Sequence, residues 1–117
     1  STVRLAQHFH PNLEITVDGR NEPIPTDIGI APGCTAEIHL HEDSDDNSLV
    51  TVHVETARPN ETFHLRDFFT VWGMAIERPG FALVMTVDGN PSTELGNLVL
   101  ADKQRIKLEY HAAGNQQ

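Results

Sequence analysis

The sequence predicts a single α+β domain, built from several short strands and one helix over its 117 residues. Most of the chain places apolar residues at every second position, which is the pattern of half-buried strands. One stretch, residues 65–73, instead carries them at the i, i+3, i+4 and i+7 positions of one helical face. The length suffices for one hydrophobic core, and no run of the sequence has the apolar length of a membrane span.

Composition narrows the classes of function. Seventeen acidic residues outweigh eight basic ones, the formal net charge is −9, and Lys103 and Lys107 are the only lysines. Nucleic-acid binding requires clustered basic side chains for phosphate contacts, so we expect none here. Seven histidines are many for this length, and five of them occur in alternating, strand-like contexts.

Residues 1–33 are predicted to form an N-terminal extension that contains a β-hairpin. Its first arm is the alternating run 13–17, and the pair Asp18-Gly19 is typical of a tight hairpin turn. Upstream lies the sequence His8-Phe9-His10. If that segment is extended, both imidazoles point to one side, and Pro11 suits the end of a strand because it has no N–H to donate.

Residues 37–55 are predicted to form a second hairpin with one apolar and one polar face. Two alternating arms flank an acidic connection, and side chains two positions apart share a face. The apolar face would carry Ile38, Leu40, Val50, Val52 and Val54. The opposite face would carry three imidazoles together with Thr51 and Glu55; those imidazoles are His39, His41 and His53.

The rest of the chain predicts one helix and three further strands. The helix spans about residues 64–73, with His64 or Thr62 at its start and Gly73 as the left-handed residue that ends it. Strands are expected at 81–87, ending in a second Asp-Gly turn, at 98–100 and at 105–110. A polar tail follows over 112–117.

The order hairpin, helix, strand, short strand and closing strand resembles the β-grasp fold over residues 34–111. This resemblance implies a mixed sheet with the helix over one face. The aliphatic positions of the 37–55 hairpin match that face, which leaves its histidines on the other side. The extension 1–33 is available to cover that side, and it would bring His8 and His10 to the other imidazoles.

The histidine pattern predicts a metal site. Neutral imidazole is a good ligand for copper, zinc and nickel, and a strand-borne His-x-His sets two of them about 6.5–7 Å apart at Cα. The predicted ligands are His8, His10, His39, His41 and His53, with Cys34 as an additional candidate. Copper is expected, with zinc as the alternative, because nitrogen sites bind copper more tightly in the Irving–Williams order.

Two other functions fit the same pattern. One is an enzyme with three histidines on zinc or copper and an open position for water, for which Glu37, Glu55 or a spare histidine could act as base. The other is a β-grasp interaction module that binds a protein partner or a second copy, with histidines that merely lie on the surface. His64 and His111 fall outside the pattern, and the common state of a cysteine such as Cys34 is a buried, inert thiol.

The motifs also occur in a recognisable order. His8-x-His10-Pro11 is followed by Cys34, by His39-x-His41 with its acidic loop, by His53, and by Phe68-Phe69-x-x-Trp72-Gly73. This order resembles a group of small, uncharacterised extracytoplasmic domains of bacteria and archaea. The resemblance implies a periplasmic, secreted or membrane-anchored setting and supplies no activity.

Overall fold

The computed structural model describes residues 7–31, 34–35, 37–40, 49–57 and 61–113, with the backbone alone at 30–31 and 34–35. The described residues form eleven short strands, one α-helix and one 3₁₀ turn (Leu95–Asn97). The elements are β1 (Gln7–Phe9), β2 (Asn12–Val17), β3 (Arg20–Asn21), β4 (Ile30–Ala31), β5 (Cys34–Thr35), β6 (Ile38–His39), β7 (Leu49–Thr51), β8 (His53–Thr56), α1 (Leu65–Trp72), β9 (Phe81–Val87), β10 (Asn90–Ser92) and β11 (Arg105–Ala112). The predicted α+β class is confirmed.

The larger sheet has six strands in the order β10-β9-β11-β2-β3, with β7 also paired to β2. The last strand, β11, runs parallel to β2 and antiparallel to β9. One edge of β2 is therefore occupied by β11 along its whole length, and β7 and β3 divide the other edge between them. The strand β2, which the sequence assigns to the extension, thus lies inside the main sheet.

The smaller sheet has the order β1-β8-β6, with both pairings antiparallel. The two arms of the predicted 37–55 hairpin do pair, through Ile38 with Val54 and His39 with His53. Its connection, residues 41–48, lies outside the described residues. The segment that carries His8 lies beside β8 in the plane of this sheet, where its backbone groups complete the hydrogen bonding of β8.

A single antiparallel register runs through both sheets and is interrupted at His10 and Pro11. The pairs on either side of the interruption share that register, Phe9 with Val54 and Asn12 with Thr51. His10 therefore falls opposite His53, and Pro11 falls opposite Val52. Proline cannot donate a ladder hydrogen bond, and only the N–H of Val52 to the carbonyl of Pro11 joins the chains there, at 2.8 Å.

Two predicted hairpin turns are confirmed. The central residues of each have positive φ, 49° and 82° at Asp18 and Gly19, and 53° and 83° at Asp88 and Gly89. These angles are those of a type I′ turn, whose twist matches that of the flanking strands. The strand β10 was not predicted because Pro91 interrupts its pattern, but β10 lies at the edge of the sheet, where proline is tolerated.

The predicted helix is confirmed as α1. Leu65, Phe68 and Phe69 are buried, and Gly73 ends the helix with φ of 83°. At its start the backbone N–H of His64 donates to the carboxylate of Asp67 at 2.8 Å. The negative charge at this end also suits the helix dipole.

The segment predicted as a strand at 98–100 has a different form. It follows the 3₁₀ turn and makes one isolated bridge, between Val99 and His64. The N–H of Leu65 donates to the carbonyl of Leu98, and the N–H of Leu100 donates to the carbonyl of Phe63. The segment pairs with the start of the helix, so a regular strand does not form beyond this bridge.

A charged pair outside the histidine region ties the loop after α1 to the segment after β3. The guanidinium of Arg78 donates two hydrogen bonds to the carboxylate of Glu22, at 2.6 and 2.9 Å, and stacks 4.2 Å from the ring centroid of Tyr110. The hydroxyl of Tyr110 donates to the carbonyl of Ile76 at 2.5 Å. The hydrogen bonds from Arg78 hold the pKa of Glu22 below its ordinary value of 4.5.

We predict that Glu22→Gln lowers the free energy of unfolding by about 1 kcal/mol at neutral pH, since the pair is partly buried and bidentate. A lowered folded-state pKa stabilises the protein above the unfolded-state pKa of 4.5 and ceases to do so as the pH falls through the folded-state value. Denaturant unfolding should therefore show a difference between wild type and variant that is full at pH 7 and shrinks below pH 4.5. The exposed Glu77→Gln is the control, and equal stability of wild type and Glu22→Gln at pH 7 would refute the prediction.

Candidate metal centre

Three neighbouring strands bring four potential ligands to one face. His8 lies on β1, His53 and Glu55 lie on the central strand β8, and His39 lies on β6. In register, His8 is opposite Glu55 and His39 is opposite His53. Directly opposed residues project to the same side of a sheet, as do residues two apart on one strand. The four side chains therefore share one face.

His10 joins this group just beyond the end of β1. Its ring centroid lies 4.6 Å from that of His8 and 4.8 Å from that of His53, which it meets edge-on. Its backbone is held by the turn before β11: the N–H of His10 donates to the carboxylate of Asp102 at 2.8 Å, and its carbonyl accepts from the N–H of Lys103 at 3.0 Å. The position of His10 is therefore fixed from two sides.

One carboxylate oxygen of Glu55 is the point on which three imidazoles converge. Its Oε2 lies 3.3 Å from Nε2 of His8, 3.7 Å from Nε2 of His39 and 4.0 Å from Nδ1 of His53. A carboxylate in that position attracts any cation in the group, whether a proton on an imidazole or a metal ion.

The ligand atoms form two sets of three that share His53. One set is His8, His10 and His53, the other is His39, His53 and Glu55, and the atoms within each set lie within 4.8 Å of one another. Ligands bound to zinc at about 2.1 Å in a tetrahedron are separated by about 3.4 Å. The atoms of each set are therefore at most about 1.4 Å farther apart than the ligands of a bound zinc ion.

Burial increases from one side of the group to the other. The side chain of His8 is 48% exposed, that of His10 36%, that of His53 13% and that of His39 1%. The group therefore has an outer edge that solvent reaches and an inner edge that it does not.

The inner edge is closed by the turn 26–29, which packs directly on His39. Gly29 has φ of +80°, and a Cβ on it would lie 2.5 Å from the carbonyl oxygen of Ile38 and 2.8 Å from Cβ of His39. The N–H of Leu40 donates to the carbonyl of Ile28 at 2.9 Å and fixes this contact. Only glycine satisfies both the backbone angle and the space.

The surroundings of His10 favour its neutral imidazole. Burial lowers the pKa of His10 below its ordinary value of 6.5, and the neighbouring His53 and His8 lower it further. Asp102 and Glu55 act in the opposite direction without reversing the shift. A neutral imidazole has a free lone pair, which is the form that binds a metal ion.

Of the predicted ligands, the structure brings together His8, His10, His39 and His53. His41 lies outside the described residues. Cys34 lies on β5, where its backbone pairs with Ala31, and its side chain is not among those described.

Sequence reasoning gave Glu55 only as a candidate base, although its spacing from His53 already placed it on the histidine face. It missed Asp102, which lies 92 residues from His10 and had no local signal. The other candidate base, Glu37, accepts a hydrogen bond from the hydroxyl of Thr56 at 2.5 Å. His64 precedes α1 and His111 lies exposed on β11, as expected for residues outside the pattern.

Comparison of the chain with protein-family models, with curated proteins and with solved structures gave no match. Within the described part of the chain, none of the helices has the length and apolarity needed to span a membrane. Function is therefore inferred from the geometry and chemistry of the histidine group itself.

We predict that Gly29→Ala displaces His39, whereas Gly19→Ala does not. Both glycines have positive φ, +80° and +82°, so both substitutions carry the same backbone strain. A Cβ at Gly19 meets nothing within 4 Å, and its substitution should cost about 1 kcal/mol of stability. The added clash at Gly29 should raise that cost to about 2–4 kcal/mol.

Denaturant unfolding measures the two costs, and NMR of the imidazole protons reports the position of His39. The ring signals of His39 should shift in Gly29→Ala and stay in place in Gly19→Ala. Equal costs and an unmoved His39 signal in both variants would show that the turn 26–29 does not hold this residue.

Proposed function

We propose that this protein binds a metal ion, copper with zinc as the alternative, through His8, His10, His39, His53 and Glu55. The observation that carries the proposal is the convergence of four imidazoles and one carboxylate on a single sheet face, with His53 common to both sets of ligands. An isolated histidine pair on a strand is common on protein surfaces. Here the strand pairs β1–β8 and β8–β6 both bring imidazoles to the same face. A shared metal ion explains this concentration of histidines better than an ordinary polar surface does.

The donor types support the choice of ion. Imidazole nitrogen suits copper and zinc, whereas magnesium and calcium prefer sites made of oxygen. Among the divalent ions that accept nitrogen, copper binds most tightly. His41 and Cys34 belong to the proposal as further ligands, and a Cys34 thiolate would strengthen the preference for copper.

The gradient of burial supports a role in capture, delivery or electron transfer. The exposed His8 and His10 are where an incoming ion meets the protein, and the buried His39 is suited to retaining it. The net charge of −9 attracts cations to the surface as a whole. An extracytoplasmic setting, periplasmic, secreted or anchored, is part of this proposal and rests on the order of motifs.

We also propose that the main sheet is related to the β-grasp fold, with a different hairpin at its start. The order hairpin, helix, strand, short strand and closing strand is satisfied when the first hairpin is β2 with β3, followed by α1, β9, β10 and β11. In the smaller sheet, β6 and β8 then belong to an insertion between that hairpin and the helix, and β1 is added before the hairpin. On this proposal the histidine group is an addition to the basic fold.

An enzyme is the alternative function, favoured by the set His39, His53 and Glu55. Two imidazoles and one carboxylate leave coordination positions for water or substrate on a metal ion. Water-proton relaxation of the copper(II)-loaded protein distinguishes the two. Fast exchange of a bound water favours a hydratase, hydrolase or redox enzyme, and its absence favours storage or transfer. A β-grasp interaction module would bind neither ion.

We predict that the metal-free protein binds copper(II) stoichiometrically and zinc(II) more weakly, as measured by calorimetric titration against a competing chelator. His39→Ala/His53→Ala should lose at least about a hundredfold in affinity, since it removes the shared ligand His53 and the buried ligand His39. His111→Ala, which removes an exposed histidine from β11, is the matched control and should bind as the wild type does.

Because His39 is buried, circular dichroism must show that the double variant folds. His8→Ala/His10→Ala removes exposed side chains and provides a second test with less effect on stability. Absence of stoichiometric binding by the wild type, or binding undiminished in both double variants, would refute the proposed function. A visible thiolate-to-copper band in the loaded protein would add Cys34 to the ligands.

A further inference from the structure

His53 lies between two groups of ligands that reach it from opposite sides. Its strand, β8, is the middle one of the order β1-β8-β6. The segment containing β1 supplies His8 and His10 on one side, and β6 supplies His39 on the other. Both ligand sets therefore include His53 because of where its strand lies in the sheet.

The neighbouring rings also approach His53 in different orientations. The ring of His10 meets it edge-on, with an interplanar angle of 87° and a centroid separation of 4.8 Å. The ring of His39 lies parallel to it, with an angle of 6° and a separation of 5.5 Å. An imidazole has two ring nitrogens that point in different directions, and each can bind a metal ion when it carries no proton.

We propose that the site holds two metal ions bridged by the imidazole of His53. The outer ion is bound by His8, His10 and His53, and the inner ion by His39, His53 and Glu55. This inference rests on the proposed function and extends it from one metal position to two. Each set supplies three protein ligands to its ion.

Two divalent ions can bind in this way without any redox step. Neutral His53 carries one N–H, and when the second divalent ion binds its nitrogen that proton passes to water. The bridging imidazolate and the carboxylate of Glu55 then supply two negative charges to the two ions. The inner position receives the carboxylate and the buried His39, so it fills first, and the more exposed outer position fills second.

The competing arrangement is one ion bound by ligands from both sets. The 3.3 Å between Nε2 of His8 and Oε2 of Glu55 is short enough for both atoms to bind the same ion. The number of ions per chain and the magnetic coupling between them distinguish the two arrangements.

The experiment is a copper(II) titration followed by elemental analysis and by spin counting with electron paramagnetic resonance. Wild type should bind two ions per chain, the first with full signal intensity, and should lose most of that intensity when the second ion couples to it through the bridge. His8→Ala/His10→Ala should bind one ion with full intensity. His111→Ala should behave as the wild type does.

Saturation at one ion per chain overturns this proposal and leaves the proposed function intact, whereas absence of binding overturns the proposed function as well. Two ions with full spin intensity would show that no imidazole bridges them. Two ions in His8→Ala/His10→Ala, or one in His111→Ala, would place the second ion elsewhere. Each of these results contradicts the two-ion site.

Discussion

The structure depends on one antiparallel register that passes through two sheets and is interrupted at His10 and Pro11. Before the interruption β1 pairs with β8, and after it β2 pairs with β7. Because the register is the same on both sides, residue parity is preserved across the interruption, and His10 stays opposite His53. A shift of one residue would send the imidazoles of His8 and His10 to the opposite face. The geometry of the histidine group is thus a consequence of backbone pairing.

The smaller sheet has one apolar face, which packs into the hydrophobic core, and one polar face, which carries the histidines. Ile38 and Val54 are buried in the same hydrophobic core as the helix residues Leu65 and Phe68. On the other face, His39 is buried although it is polar, next to Glu55 and beneath the turn that contains Gly29. Burying a polar group is costly unless it has partners. At His10, burial and then the neighbouring His53 and His8 lower the pKa of the imidazole. On the proposed function, a bound metal ion would supply the partner that these imidazoles share.

Local patterns in the sequence predicted the local features of the fold. Helical spacing gave α1, the Asp-Gly pairs gave two turns, and alternation placed His39 and His53 on a common face. Strand partners far apart in sequence were not predictable in this way. No local signal indicates that β2 pairs in parallel with β11 or that Asp102 holds the backbone of His10. These contacts join distant segments, so they are decided by packing of the whole chain.

The same difference between local and long-range features applies to the prediction of the ligands. Parity and the hairpin pattern were enough to group His39, His53 and Glu55, but they could not show that β1 pairs with β8 at the edge opposite β6. The order β1-β8-β6 supplies that information and makes His53 the central residue. A site assembled from three strands is therefore only partly predictable from the spacing of residues within each strand.

The most direct test of the account is two-dimensional NMR of the imidazole nitrogens during addition of zinc(II) to the metal-free protein. The account predicts that the signals of His8, His10, His39 and His53 all change, while those of His64 and His111 stay where they are. Changes confined to His64 and His111, or no change in any imidazole signal at stoichiometric zinc, would contradict it.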